Sequence, residues 1–190
     1  MSSFSWKRII IGLITLYLTL YLSTTTYLIT AGPDQQECVP VVVVLGGGGK
    51  GEREMKAMEY VDACHEVKVF LTGGRYLRNG KIDRLDYFRD IESPVIINET
   101  TNTLSEIKWI RKNLIREKNK VAIVSDLLHH RRIRFFLHKE KIGEVTLLLS
   151  SNVGFDEVID RPYEWFVFTV RESLAFWYYF FAINIINYDS

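Results

Sequence analysis

Short apolar runs alternate with segments of helical periodicity from residue 39 to residue 149. The apolar runs predict five strands, at Val39–Leu45, Val67–Leu71, Val95–Ile97, Val121–Val124 and Val145–Leu149. The intervening segments predict helices over Glu52–Asp62, around Arg84–Ile91, from Asn102 or Thr103 onward, and after Asp126. Because strand and helix alternate, we predict an α/β fold with a Rossmann-like, doubly wound, mainly parallel five-stranded sheet.

A long uncharged run precedes this pattern. No residue from Ile9 to Pro33 is charged, a length sufficient to cross a bilayer, and Lys7 and Arg8 come before it. The positive-inside rule then predicts a single-pass protein of the inner or plasma membrane with a cytoplasmic N-terminus. A cleaved signal peptide is the alternative. The predicted parts are a cytoplasmic N-terminus with a transmembrane anchor, a linker, and an extracytoplasmic domain, at residues 1–31, 32–38 and 39–190.

The C-terminal segment from Ser173 to Tyr188 is uncharged and rich in aromatic residues. It is short for a membrane span, so we expect a helix that packs on the domain, packs on the anchor, or lies in the membrane interface. The expected partner of these apolar segments is therefore the lipid bilayer. The net charge of +1 gives no field that would attract nucleic acid.

The two cysteines, Cys38 and Cys64, exclude a disulfide-rich scaffold and a multi-cysteine zinc site. In a βαβ unit both fall at the same end of the sheet, opposite the predicted ligand site. A disulfide between them and a pair of buried free thiols both remain open.

The glycine cluster after the first strand is a candidate ligand site. Gly46-x-Gly48-x-x-Gly51 matches the dinucleotide fingerprint, but the acidic residue expected after the second strand is absent. Glu52 follows Gly51 where a Walker loop needs lysine, so that loop is excluded. A polar or anionic ligand and a tight turn that requires glycine remain as alternatives. The candidate ligand-binding glycines are Gly46, Gly47, Gly48, Gly73 and Gly74.

The segment after the fourth strand combines histidine, arginine and aspartate. His129 and Arg132 share a helix face, and Asp126 lies one turn earlier. A phosphate there would meet helix N–H groups together with Arg131 or Arg132, while His129 could act as an acid or base. The alternative is a solvated basic face with Asp126 as a helix cap. We assign that interpretation to three further basic residues, His130, Arg134 and His138.

The loop after the third strand adds Glu99, which helix capping does not require and which is therefore a second candidate for proton exchange. Thr103 and Glu106 match a capping box at the start of the next helix. No ligand spacing of a known metal motif is present, so no metal is assigned and the cofactor is left unknown.

Four motifs in order carry a family resemblance: VVVVLGGG at Val41–Gly48, LTGG at Leu71–Gly74, ETTNT at Glu99–Thr103 and VSDLLHHRR at Val124–Arg132. Together they resemble the SanA/YdcF/ElyC-like family of bacterial envelope proteins. The chain departs from that family in having Ser105-Glu106 where a Glu-Asn pair is common, and Ser125-Asp126 where Thr-Ser is common. The Arg171-Glu172 pair before the C-terminal apolar segment also resembles the family's C-terminal acidic position. The resemblance thus implies six candidate site residues on this chain: Glu99, Asn102, Asp126, His129, Arg132 and Glu172.

This resemblance implies a membrane-anchored Rossmann-like domain linked to cell-envelope integrity. We expect a hydrolase or transferase that acts on a phosphorylated or otherwise anionic envelope precursor, related to a lipid carrier or to peptidoglycan. The alternative is a non-catalytic envelope factor that binds a nucleotide-like ligand or a partner protein.

Overall fold

The computed structural model describes residues 6–29, 37–46, 51–64, 66–77, 82–89, 94–97, 99–115, 120–143, 145–150 and 162–185. The chain divides into two compact units. One contains two long helices that contact each other, α1 (Trp6–Ile29) and α5 (Pro162–Ile185). Among these described residues, no helix is both long and apolar enough to cross a bilayer.

The other unit is built on a five-stranded parallel sheet in the order β3-β2-β1-β4-β5. Its strands are β1 (Val41–Val44), β2 (Lys68–Thr72), β3 (Val95–Ile97), β4 (Val121–Ser125) and β5 (Val145–Leu149). Val41 of β1 lies beside Lys68 on one side and Val121 on the other, and all four valines of β1 are buried. Burial on both faces is what an uninterrupted valine run favours. The predicted five-stranded α/β sheet is confirmed, with every strand parallel.

Helices cover the sheet in two pairs. α2 (Glu52–Cys64) contacts a short 3-10 helix (Arg84–Phe88), whereas α3 (Thr103–Asn113) contacts α4 (Leu127–Lys139). Right-handed crossovers put the first pair on one face and the second pair on the other. The carboxyl ends of the strands and the starts of α2, α3 and α4 therefore meet at one edge of the sheet.

Two helix starts differ from the capping that the sequence predicts. The capping box of α3 joins Asn102 to Ser105, whose N–H donates to Asn102 Oδ1 at 3.0 Å. The predicted pairing of Thr103 with Glu106 is therefore wrong. Asp126 does occupy the position before α4, but its carboxylate makes no cap hydrogen bond. The carboxylates of Glu106 and Asp126 instead accept hydrogen bonds from distant segments, from the Gly46 N–H and from Arg53 respectively.

A disulfide joins Cys38 to Cys64, with 5.3 Å between their Cα atoms. Tyr60 reinforces the same junction, because its Oη accepts from the Val39 N–H and donates to the Glu37 carbonyl oxygen, each at 2.7 Å. Cys38 precedes β1 and Cys64 ends α2, so the bond lies at the amino-terminal edge of the sheet. The segment that enters the domain is thus fastened to α2 on the side away from the strands' carboxyl ends.

Replacing both cysteines with serine is expected to lower the free energy of unfolding by about 3 kcal/mol, since the bond closes a loop of 26 residues in the unfolded chain. Urea unfolding followed by circular dichroism measures the loss. Wild-type protein treated with a reductant is the matched control and should unfold at the same urea concentration as the double variant. Equal stability of oxidised wild type and the double variant would contradict the expectation.

Candidate functional site

Two buried arginines organise the carboxyl-terminal edge of the sheet. Arg53 comes from the first turn of α2 and Arg84 from the 3-10 helix, and they are 1% and 2% exposed. Arginine is almost never this buried unless it is paired, because the charge loses its hydration. The partners of these two side chains therefore define the structure of the edge.

Arg53 joins the end of β1 to the start of α4. Its Nε donates to Asp126 Oδ1 at 2.9 Å and its Nη2 donates to Asp126 Oδ2, a two-pronged ion pair. Its Nη1 donates to the carbonyl oxygens of Leu45, at 3.0 Å, and Gly46. Nη2 also lies 2.8 Å from Nδ1 of His129. The predicted candidates Asp126 and His129 are thus brought together by a residue that the sequence analysis did not select.

The charge state of Asp126 follows from these contacts. Burial by itself would raise the pKa of its carboxyl group, but the Arg53 charge and the hydrogen bonds to the carboxylate outweigh burial and hold the pKa well below its usual range. Ser150 adds a hydrogen bond from its Oγ to Oδ1 at 2.9 Å. Asp126 therefore stays ionised at neutral pH, where it can orient other groups but cannot donate a proton.

Arg84 joins the end of β1 to the end of β2. Its Nε donates to Glu54 Oε1 at 2.5 Å, and both side chains are buried. Its other nitrogens donate to carbonyl oxygens at the two strand ends, those of Val44, Leu45, Thr72 and Gly74. The carbonyl groups at the ends of both strands thus accept hydrogen bonds from one side chain.

The glycine turns after β1 and β2 touch each other. A Cβ on Gly46 would lie 2.7 Å from the Gly73 Cα atom, and Gly73 has a φ of +74°. The Gly46 N–H donates to Glu106 Oε1 at 2.8 Å, and the Gly73 N–H donates to Thr100 Oγ1 at 2.9 Å. Both amides are thus engaged by the protein's own side chains, and close backbone approach explains these two glycines. Gly47 and Gly48 lie outside the described residues.

Gly51 shows the same steric demand more strongly. It has a φ of +81°, and a Cβ there would overlap the Tyr87 ring. We expect Gly51→Ala to lower the free energy of unfolding by about 3 kcal/mol, from overpacking together with backbone strain. Gly74→Ala is the control, since Gly74 has a φ of +99° with open space around it, and should cost only about 1 kcal/mol. Equal losses in urea unfolding would show that the Tyr87 contact contributes nothing.

The other predicted site residues near α3 and α4 differ in how exposed their side chains are. Glu99 is exposed on the loop before α3, and Asn102 is exposed and serves as the cap of α3. Arg132 is buried and its Nη2 donates to Thr103 Oγ1 at 3.3 Å, which brings α4 against the start of α3. Arg131 is half-buried.

Glu172 belongs to the other unit of the chain. It lies in α5, where it is buried and its Oε1 is 3.3 Å from Arg171 Nη2.

One basic residue assigned to a solvated face is not solvated. His130 is 2% exposed, and its Nε2 accepts a hydrogen bond from Arg134 Nε at 2.7 Å. That assignment is therefore wrong for His130, because the helix turns its ring toward the interior. Arg134 and His138 are exposed as predicted.

Comparisons with protein-family models, with curated proteins and with solved structures found no match to this chain. In the described part of the chain, no three His, Cys, Asp or Glu side chains are grouped so that they could hold a metal ion. The site is therefore described by its own geometry: an ionised aspartate, a buried arginine and a buried histidine at the carboxyl edge of a parallel sheet.

Proposed function

We propose that the protein is a hydrolase or transferase that acts on a phosphorylated or otherwise anionic cell-envelope precursor, related to a lipid carrier or to peptidoglycan. The observation that carries this proposal is the cluster of Arg53, Asp126 and His129 at the sheet edge, in which the arginine and the histidine are buried and the aspartate is partly buried. Ligands of open α/β sheets bind at this edge. Burying ionised groups costs desolvation energy, so a cluster of this kind fits a site that needs a fixed polar geometry.

The anion is best assigned to the start of α4. The amides of Gly46 and Gly73 are already bonded within the protein, so they are poor candidates for binding a phosphate. His129 and Arg132 lie three residues apart on α4, at the end of the helix where the N–H groups favour negative charge. Arg131 is a second cation on the same turn. Glu99, exposed on the neighbouring loop, is the proposed group for proton exchange.

The Cys38–Cys64 disulfide supports a location outside the cytoplasm, because such bonds persist in oxidising compartments. The uncharged run at Ile9–Pro33 and the family resemblance support attachment to a membrane. A lipid-linked diphosphate would be presented to the domain in that setting. Thiol alkylation of the protein in intact cells, followed by mass spectrometry, tests the location. Fully alkylated cysteines would place the domain in a reducing compartment.

The proposed activity is tested with two phosphorylated probes, a polyprenyl diphosphate in detergent micelles and a nucleotide sugar in free solution. Phosphorus NMR follows the appearance of products. We expect the wild type to turn over one of them, and His129→Gln, which removes the imidazole ring, to lower the rate by about a hundredfold or more. His138→Gln, which changes an exposed histidine on the same helix, is the matched control and should keep the wild-type rate.

Circular dichroism melting of all three proteins checks that the variants fold. If the wild type binds a probe without converting it, and His129→Gln binds equally well, the enzyme proposal fails. The protein would then be better described as a non-catalytic factor that binds a nucleotide-like ligand or a partner protein.

A further inference from the structure

Two adjacent histidines on α4 are each held by an arginine, but through different ring nitrogens. Arg53 Nη2 lies 2.8 Å from Nδ1 of His129. Arg134 Nε lies 2.7 Å from Nε2 of His130. Both rings are buried, so these contacts replace water at the nitrogens concerned.

The chemistry of arginine decides which nitrogen carries the proton. A guanidinium group donates hydrogen bonds and cannot accept them, so the facing ring nitrogen must be the acceptor. Neutral His129 then has its proton on Nε2, and neutral His130 has its proton on Nδ1. The two neighbouring rings are opposite tautomers.

A competing arrangement would place the proton of His129 on Nδ1 and direct it to Asp126, whose Oδ2 lies 3.3 Å away. That arrangement would set an N–H of the ring against an N–H of Arg53 at a separation of 2.8 Å. The Nη2 group of Arg53 has two protons, and the structure gives them two acceptors, Asp126 Oδ2 and His129 Nδ1. The shorter contact and the complete pairing both favour Arg53 as the partner of Nδ1.

We propose that Arg53 is a positioning residue that holds His129 with its proton on Nε2, so that His129 offers the substrate a hydrogen-bond donor and not a base. The proposal rests on the proposed function and narrows it. A fixed N–H donor stabilises negative charge on an oxygen, as on a phosphoryl group, and transfers no proton. Activation of the attacking hydroxyl group or water then falls to another group, for which Glu99 is the candidate.

The tautomers are measured on the full chain with nitrogen-labelled histidine, in a long-range proton–nitrogen NMR spectrum. A pH of about 8.5 keeps ordinary histidines neutral. We expect a pyridine-type Nδ1 for His129 and a pyridine-type Nε2 for His130, while exposed His138 should show a mixture. Single His→Gln variants assign the signals. A pyrrole-type Nδ1 in His129 would overturn the proposal.

Arg53→Met tests whether Arg53 sets the tautomer. With its donor removed, Nδ1 of His129 should become protonated and turn to Asp126, while His130 keeps the wild-type pattern. An unchanged His129 in folded Arg53→Met would also overturn the proposal. If that variant does not fold, the wild-type spectrum still decides. Because no substrate is present, failure here is distinguishable from failure of the proposed activity.

Discussion

Arg53→Met is expected to lower the free energy of unfolding by about 3–5 kcal/mol at neutral pH. The loss arises because Asp126 would remain as a partly buried charge without its cation, and the carbonyl oxygens of Leu45 and Gly46 would each lose a donor. Urea unfolding followed by circular dichroism measures it. Arg89→Met, which removes an exposed ion pair with Asp86, is the control and should have little effect.

Acid should remove most of the difference between Arg53→Met and the wild type. The pKa of Asp126 is lowered in the folded state, so its contribution is fully present above the unfolded-state pKa of about 4 and is lost as the pH falls below it. The stability of the wild type should therefore fall between about pH 4 and pH 2 more steeply than that of Arg53→Met. Parallel pH profiles, or a neutral-pH loss no larger than that of Arg89→Met, would contradict this role for Arg53.

Arg84→Met is expected to cause a loss of similar size, about 3–5 kcal/mol. Glu54 would be left buried without its cation, and carbonyl oxygens at the ends of β1 and β2 would each lose a donor. The same urea unfolding experiment measures this loss.

The double variant Arg84→Met/Glu54→Leu separates the two causes. Removing both charges eliminates the uncompensated carboxylate, and replacement of a buried ion pair by apolar groups is often close to neutral. The carbonyl oxygens still lack the Arg84 donor in the double variant, so we expect only partial recovery of stability. Full recovery would show that Arg84 serves the ion pair alone and does not tie the strand ends.

The sheet could be predicted from the sequence because each strand and helix is recognised from neighbouring residues, such as the four consecutive valines of β1. The network at the sheet edge is different. Glu106 matches a capping pattern with Thr103, yet its carboxylate binds the Gly46 N–H, 60 positions away. Asp126 resembles a helix cap, yet it pairs with Arg53, 73 positions away. The partner of Asp126 is a buried cation, which outcompetes a helix N–H for a carboxylate, and the partners of Glu106 are a backbone N–H and the Thr72 hydroxyl group. No local pattern contains any of these partners.

The glycine cluster is visible in the sequence, but the sequence does not show why glycine is required there. A cluster of glycines indicates that something lies close to the backbone. Either a bound ligand or a second backbone segment could be that neighbour. The structure places Gly73 against Gly46, so two turns of the protein supply the crowding there. Only the three-dimensional arrangement of β1 and β2 could distinguish the two cases. The candidate site consequently moves from the glycine turns to His129 and Arg132 on α4.

The central claim, that the start of α4 binds a phosphorylated envelope precursor, is tested most directly by native mass spectrometry of the full chain purified from envelope membranes. We predict that the wild type carries a phosphorus-containing ligand and that His129→Gln/Arg132→Gln does not. His138→Gln/Lys139→Gln, which changes two exposed basic residues on the same helix, should retain the ligand. A wild type without such a ligand, or equal occupancy in all three proteins, would contradict the claim.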